Sequence, residues 1–150
     1  VLHGSTPQGL DARTWARIGK AVVEKGAALL LDIYGEPLLH ALELPVEVCK
    51  PNEEEIRVLP VSGVDDALRF MADKGVKLPV VSRGAEGMRF LIDGRIGTER
   101  KAVERPRFLV GAGDAAMAGL AVALRRGLAP REAVRQAVAV AAAHVEGTGS

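Results

Sequence analysis

The stretch Val110-Gly111-Ala112-Gly113-Asp114-Ala115-Ala116-Met117-Ala118-Gly119-Leu120 opens a segment that is apolar nearly all round, through Val122 and Leu124. A helix of that kind is buried on most of its sides. Its first-turn N–H groups have no acceptors inside the helix, and the two glycines at its mouth let a ligand approach the backbone closely. A buried helix with a glycine-lined N-terminus reads as an anion site. The helix dipole alone contributes about 0.3–2 kcal/mol. Preorganised donors aimed at developing charge weigh more, about 2.7–4 kcal/mol for one donor.

Asp114 stands in the first turn of this helix, where a carboxylate would repel a bound phosphate. It makes chemical sense as a base that accepts a proton from an attacking hydroxyl, a role worth about 10²–10⁴ in rate. The plainer reading is a first-turn acid that complements the dipole. Gly111-Ala-Gly113-Asp-Ala-Ala116 also fits the loose dinucleotide fingerprint of an oxidoreductase domain. That fingerprint needs a following strand ending in an acid, whereas here Pro130 opens a second helix, so the unit is not completed. A Walker-type loop is ruled out because no Gly-Lys-Ser/Thr follows the glycines.

Outward from this point, helices alternate with strands. Leu10–Gly26 has helical spacing with Asp11 as cap and Gly26 as stop, and Ala27–Asp32 is an apolar run typical of a strand covered on both faces. A short helix over Glu36–Leu44, a strand over Val46–Cys49, and a helix over Glu53–Leu59 capped by Asn52 follow. Val64–Lys74 reads as helix, Pro79–Ser82 as strand, and Met88–Ile92 with Arg95–Lys101 as a hairpin about Asp93-Gly94. Helices Gly111–Arg126 and Pro130–Glu146 complete the pattern. Alternation of this kind predicts an α/β fold with a mostly parallel sheet, in one domain spanning residues 1–150.

The formal net charge of +1 gives no electrostatic case for nucleic acid or an anionic membrane surface. The longest apolar stretches, Ala115–Leu124 and Ala137–Ala143, fall well short of the roughly 18 residues that would span a bilayer. The single cysteine, Cys49, forms no intrachain disulfide, which favours a reducing, cytoplasmic setting. His3, His40 and His144 show no ligand spacing, so no histidine metal site is expected.

Five segments together resemble the PfkB, or ribokinase-like, carbohydrate kinases. Gly111-Ala-Gly-Asp-Ala-Ala-Met-Ala-Gly119 is similar to that family's signature GAGDxFxxG. Lys50-Pro51-Asn52-Glu53-Glu54-Glu55 is similar to its KPN-x-x-E segment, and Ser82-Arg83-Gly84-Ala85-Glu86-Gly87 to its T-x-G-x-x-G turn. Gly4–Gly9 and Leu31–Leu38 resemble the GSLPPG and LDtSGeaL stretches of the branch containing 1-phosphofructokinase and tagatose-6-phosphate kinase.

The resemblance implies a three-layer α/β/α fold and ATP-dependent, Mg²⁺-assisted phosphorylation of a hydroxyl on a sugar phosphate. An unphosphorylated sugar or nucleoside as acceptor, or a nucleotide-binding fragment without activity, stand as alternatives. It implies Asp114 as the base and the N–H groups of Ala112, Gly113 and Asp114, beside Gly111, as the anion hole. Asn52 and Glu55 would place the phosphates and Mg²⁺, Glu55 through water. Ser82, Gly84 and Gly87 would line the ATP phosphates and ribose, and the last helix around Ala139–Ala143 would border the adenine. By their own residue types, Asn52 is equally a helix cap and Glu53–Glu55 a solvated acid run. Ala115 and Met117 stand where the family often has a hydroxyl and an aromatic, and Thr6 and Gln8 replace Leu and Pro. Members of the family are longer: the expectation is that this chain is the C-terminal, nucleotide-binding and catalytic part. The sugar-binding and lid half would precede it, and the full-length protein would form a homodimer.

Overall fold

A computed structural model describes residues 1–148. Its centre is a six-stranded sheet in the order β1-β2-β3-β4-β5-β6, made of β1 (Leu2–Gly4), β2 (Leu30–Ile33), β3 (Val48–Cys49), β4 (Leu78–Ser82), β5 (Met88–Ile92) and β6 (Arg95–Glu99). The first four run parallel, and β5 and β6 fold back antiparallel at one edge. Asp93 and Gly94 both take positive φ, as the tight hairpin turn between β5 and β6 requires.

Parallel strands added in one direction through right-handed crossovers place their connecting helices on one face. Accordingly α1 (Thr14–Glu24), α2 (Glu36–Ala41) and α3 (Val64–Asp73) share a face, packed around Leu29, Leu31, Ile33, Leu38, Leu68 and Met71. The other face is covered by α4 (Ala112–Arg125) and α5 (Pro130–Glu146), over Leu30, Val48, Leu78, Val80 and Phe90. The result is the three-layer α/β/α architecture expected from the sequence. A side chain at Gly119 would come within 2.9 Å of the Ala137 Cα, so α4 and α5 meet almost backbone to backbone.

Several boundaries differ from expectation: α2 ends at Ala41 and not Leu44, β3 shortens to Val48–Cys49, β6 ends at Glu99, and three others shift for a local reason. The first helix starts at Thr14, not Leu10: Leu10 N–H closes a turn on Pro7, and the Asp11 carboxylate accepts from the Arg13 N–H at 2.9 Å. The second strand starts at Leu30, because Ala27 N–H still bonds back to Val22 as the chain leaves α1. The expected Glu53–Leu59 helix is a single 3₁₀ turn, Glu55–Val58. Leu59 precedes Pro60 and is extended (ψ 149°), the conformation that a following proline imposes.

At the start of α3, Arg89 from β5 forks onto Asp65 and holds its carboxyl below the usual carboxylate range. Burial pushes the Cys49 thiol well above its ordinary value. Among the described residues no helix is long and apolar enough to cross a membrane.

Candidate active site

The site grows out of strand alternation. Successive side chains of a strand point to opposite faces. Leu2, Leu31 and Cys49 face the α1–α3 core, so His3, Asp32 and Lys50 project to the α4 side. The register pairs His3 with Asp32 and Leu31 with Cys49, bringing Lys50 alongside Asp32. A row of three polar groups thus crosses the carboxyl ends of β1, β2 and β3. Lys50 Nζ lies 3.1 Å from Asp32 Oδ1, and both residues are buried (2% and 8% exposed). His3 Nδ1 is 3.3 Å from Asp32 Oδ2, and His3 Nε2 is 3.2 Å from Asp114 Oδ1. Sequence reading assigned no role to His3 or Lys50. The signal that finds them is their shared phase at three strand ends.

The mouth of α4 faces this row. Gly111 is its N-cap in the left-handed region (φ 86°), and a Cβ there would also press on His144 at 3.1 Å. His144 Nε2 donates to the Val110 carbonyl at 2.8 Å, tying the loop to α5. No sequence signal links two residues so far apart in the chain. Among the described residues, the N–H groups of Gly113 and Asp114 find no acceptor, as an anion site needs. Ala112 N–H turns back to the Leu109 carbonyl at 3.4 Å, so the third of the expected amides is engaged, though over a long distance. The Asp114 carboxylate is exposed.

Beside this loop lies a cleft of about 510 Å³ between the β4–β5 turn, the 100–109 segment and the α4–α5 pair. Ser82, Gly84 and Gly87 line it together with Ala112 and Gly113. Gly87 has a structural requirement of its own, since a Cβ would fall 2.1 Å from the Glu99 carbonyl oxygen. On α5 the lining residues are Val138, Ala141, Ala142 and Val145. Ala139 and Ala143, expected to border the base, lie outside that lining: each is one position, about 100° of helix, from a lining residue. Arg100 and Lys101 add positive charge to the wall.

Asn52 and Glu55 do not line the cleft. They cap one another: Asn52 Oδ1 accepts from the N–H groups of Glu54 and Glu55 at 2.9 Å, and Glu55 Oε2 accepts from Asn52 N–H at 2.8 Å. This reciprocal box is the capping reading of Asn52, and it leaves only part of each side chain for a ligand. Asn52 does reach the cleft's neighbourhood through a parallel bridge to Ser82.

Glycine-lined helix mouth, unengaged amides, carboxylate and adjoining cleft at the carboxyl ends of parallel strands define an α/β protein with a candidate anion site. More specifically, residues 1–150 match the family described as pfkB family carbohydrate kinase, and the chain belongs to that family. It is 36% identical over 140 residues to the 1-phosphofructokinase of Xanthomonas campestris, covering 83% of this chain and 42% of that protein. It is 28% identical over 144 residues to the 1-phosphofructokinase of Bacillus subtilis, covering 92% and 48% respectively. Phosphofructokinase-2 from Escherichia coli, solved in complex with substrates and products, superposes with a TM-score of 0.84 at 27% identity, over 95% of this chain and 49% of that one. The chain spans less than half the length of each of these relatives.

Proposed function

We propose that the whole protein is an ATP-dependent kinase that phosphorylates a hydroxyl of a sugar phosphate, as the name 1-phosphofructokinase describes for its relatives. The observation that carries this reading is the carboxylate of Asp114, one residue beyond Gly113 and beside two amides without acceptors. In this reading the sugar hydroxyl gives its proton to Asp114 as its oxygen bonds to the γ-phosphorus, and the bond to the ADP oxygen breaks. The Gly113 and Asp114 N–H groups and the positive end of α4 hold the charge on the moving phosphoryl group. Phosphoryl transfer asks a protein mainly for such positioning and charge stabilisation. ATP would fill the 510 Å³ cleft, its base against the apolar face of α5 and its phosphates toward Ser82, Gly84 and Gly113.

Mg²⁺ takes hard oxygen donors and keeps much of its water. Glu55 fits this role, because Asn52 N–H engages only one of its carboxylate oxygens. When bound, the ion would neutralise phosphate charge. A cytoplasmic setting suits a lone, buried cysteine.

Turnover of fructose 1-phosphate, tagatose 6-phosphate, fructose and ribose by the whole protein tests the acceptor. Preference for the sugar phosphates is expected. Turnover of only the free sugars would move the chain to another branch. Calorimetric binding of Mg-ATP with no turnover of any acceptor would make it a nucleotide-binding module instead.

A further inference from the structure

We infer that His3 is a positioning residue for Asp114, mounted on the buried pair Asp32–Lys50; this rests on the reading of Asp114 as the base. Asp114 sits on an exposed helix turn, and its one ion-pair partner among the described residues is His3, whose Nε2 lies 3.2 Å from Oδ1. A free carboxylate there would sample several rotamers. The His3 ring is itself held from below, with Nδ1 3.3 Å from Asp32 Oδ2. Asp32 in turn is fixed through its other oxygen by Lys50 at 3.1 Å, with both groups out of water. Buried charges tolerate little rearrangement, because breaking such a pair leaves one of them unpaired. The order of fixing therefore runs from Lys50 to Asp32, to His3, and finally to Asp114.

The donor count gives the ring a further property. A neutral imidazole has one N–H and can donate to only one of the two carboxylates, whereas the doubly protonated ring serves both. With Oδ1 facing His3, the second oxygen of Asp114 is the one left to take the proton of an acceptor hydroxyl. The ligand atoms of His3, Asp32 and Asp114 lie within 4.8 Å of one another, close enough to face a single cation. Lys50 argues against that use, since its ammonium already supplies the positive partner of Asp32. His3 is about half exposed, so its contribution is to geometry and not to the core.

The test compares His3→Ala and His3→Gln with wild type in the whole protein, reading kcat, both KM values and the thermal midpoint. His3→Ala is expected to lower kcat about tenfold, within the roughly 10²-fold that a misplaced group can cost. Both KM values should stay within about twofold, as for a group that acts in the transition state. The melting temperature should not move. His3→Gln, whose amide can still donate to Asp114, should recover part of the loss. A kcat for His3→Ala within about twofold of wild type overturns the inference, as does a glutamine no better than alanine or a loss that tracks unfolding. Absence of wild-type turnover would instead remove the kinase reading and this inference together. An inactive Asp114→Asn beside a fully active His3→Ala removes this inference alone.

Discussion

The two faces of the sheet are built from different side chains. On the α1–α3 side the core is Leu29, Leu31, Ile33, Leu38, Leu42, Leu68 and Met71, all almost fully buried. On the α4–α5 side the sheet again offers Leu30, Leu78 and Phe90, but the helices meet it with Ala116, Ala123, Ala133 and Ala137 beside Met117 and Leu120, and Gly119 lies against Ala137. Large aliphatics bury more apolar area per residue and so carry more of the stability. Small ones let two helices close to backbone contact, which brings the mouth of α4 down to the strand ends and leaves room for a cleft. One face therefore holds the fold together and the other frames the candidate site.

Substitutions can break or sharpen that division. Leu68→Ala, on the aliphatic face, should cost about 2–5 kcal/mol in denaturant unfolding. Nucleotide affinity measured well below the transition should be unchanged; a loss of affinity would mean that the two faces are not separable. Asp114→Asn should do the reverse. Turnover should fall at least about 10²-fold, equivalent to about 2.7 kcal/mol, while stability and ATP affinity hardly change. Near-normal turnover would remove Asp114 from the mechanism. Gly119→Ala should cost about 1–3 kcal/mol, because the added methyl meets the Ala137 backbone with little space to yield. A neutral result in a thermal melt would show that the α4–α5 contact is looser than its geometry.

Two smaller effects belong to the aliphatic face. Asp65 has its carboxyl held low by Arg89, so its contribution is complete above the ordinary carboxylate range and disappears as pH falls through the lowered value. Asp65→Asn should remove about 0.2–1 kcal/mol at neutral pH and nothing once the acid is protonated, as urea midpoints at pH 7 and pH 2 would reveal. Cys49 should resist a thiol reagent until the protein unfolds, since burial raises its thiol and closes access to it.

Much of this was legible in the chain itself. The unbroken apolar run ending in Asp32, the Asp93-Gly94 turn and the paired glycines at 111 and 113 each have a local physical cause, and each element formed. Boundaries slipped where a neighbour decided the outcome, as Pro60 did for the turn after Asn52. The placement of Gly111, Gly113 and Asp114 at the mouth of α4, and of Ser82, Gly84 and Gly87 on the cleft wall, was legible because it is written into local backbone chemistry. Placement that depends on rotation about an axis was less legible: α5 lends the cleft Val138, Ala141, Ala142 and Val145, each set one position or two along the helix from Ala139 or Ala143. His3 and His144 escaped for another reason. Their partners lie on other elements, and only the assembled sheet and helix pair bring them together.

The placement of His3 opposite Asp32 has a consequence for how this gene tolerates lost codons. Removing one residue between Gly26 and Leu30, with the inter-strand ladder kept in step, inverts the second strand. Asp32 would then be driven among Leu31's former neighbours without its ammonium, while Ile33 took its slot beside Lys50. A single in-frame deletion there would leave both members of the buried Asp32–Lys50 pair without a partner, whereas a substitution at either position leaves only one of them so.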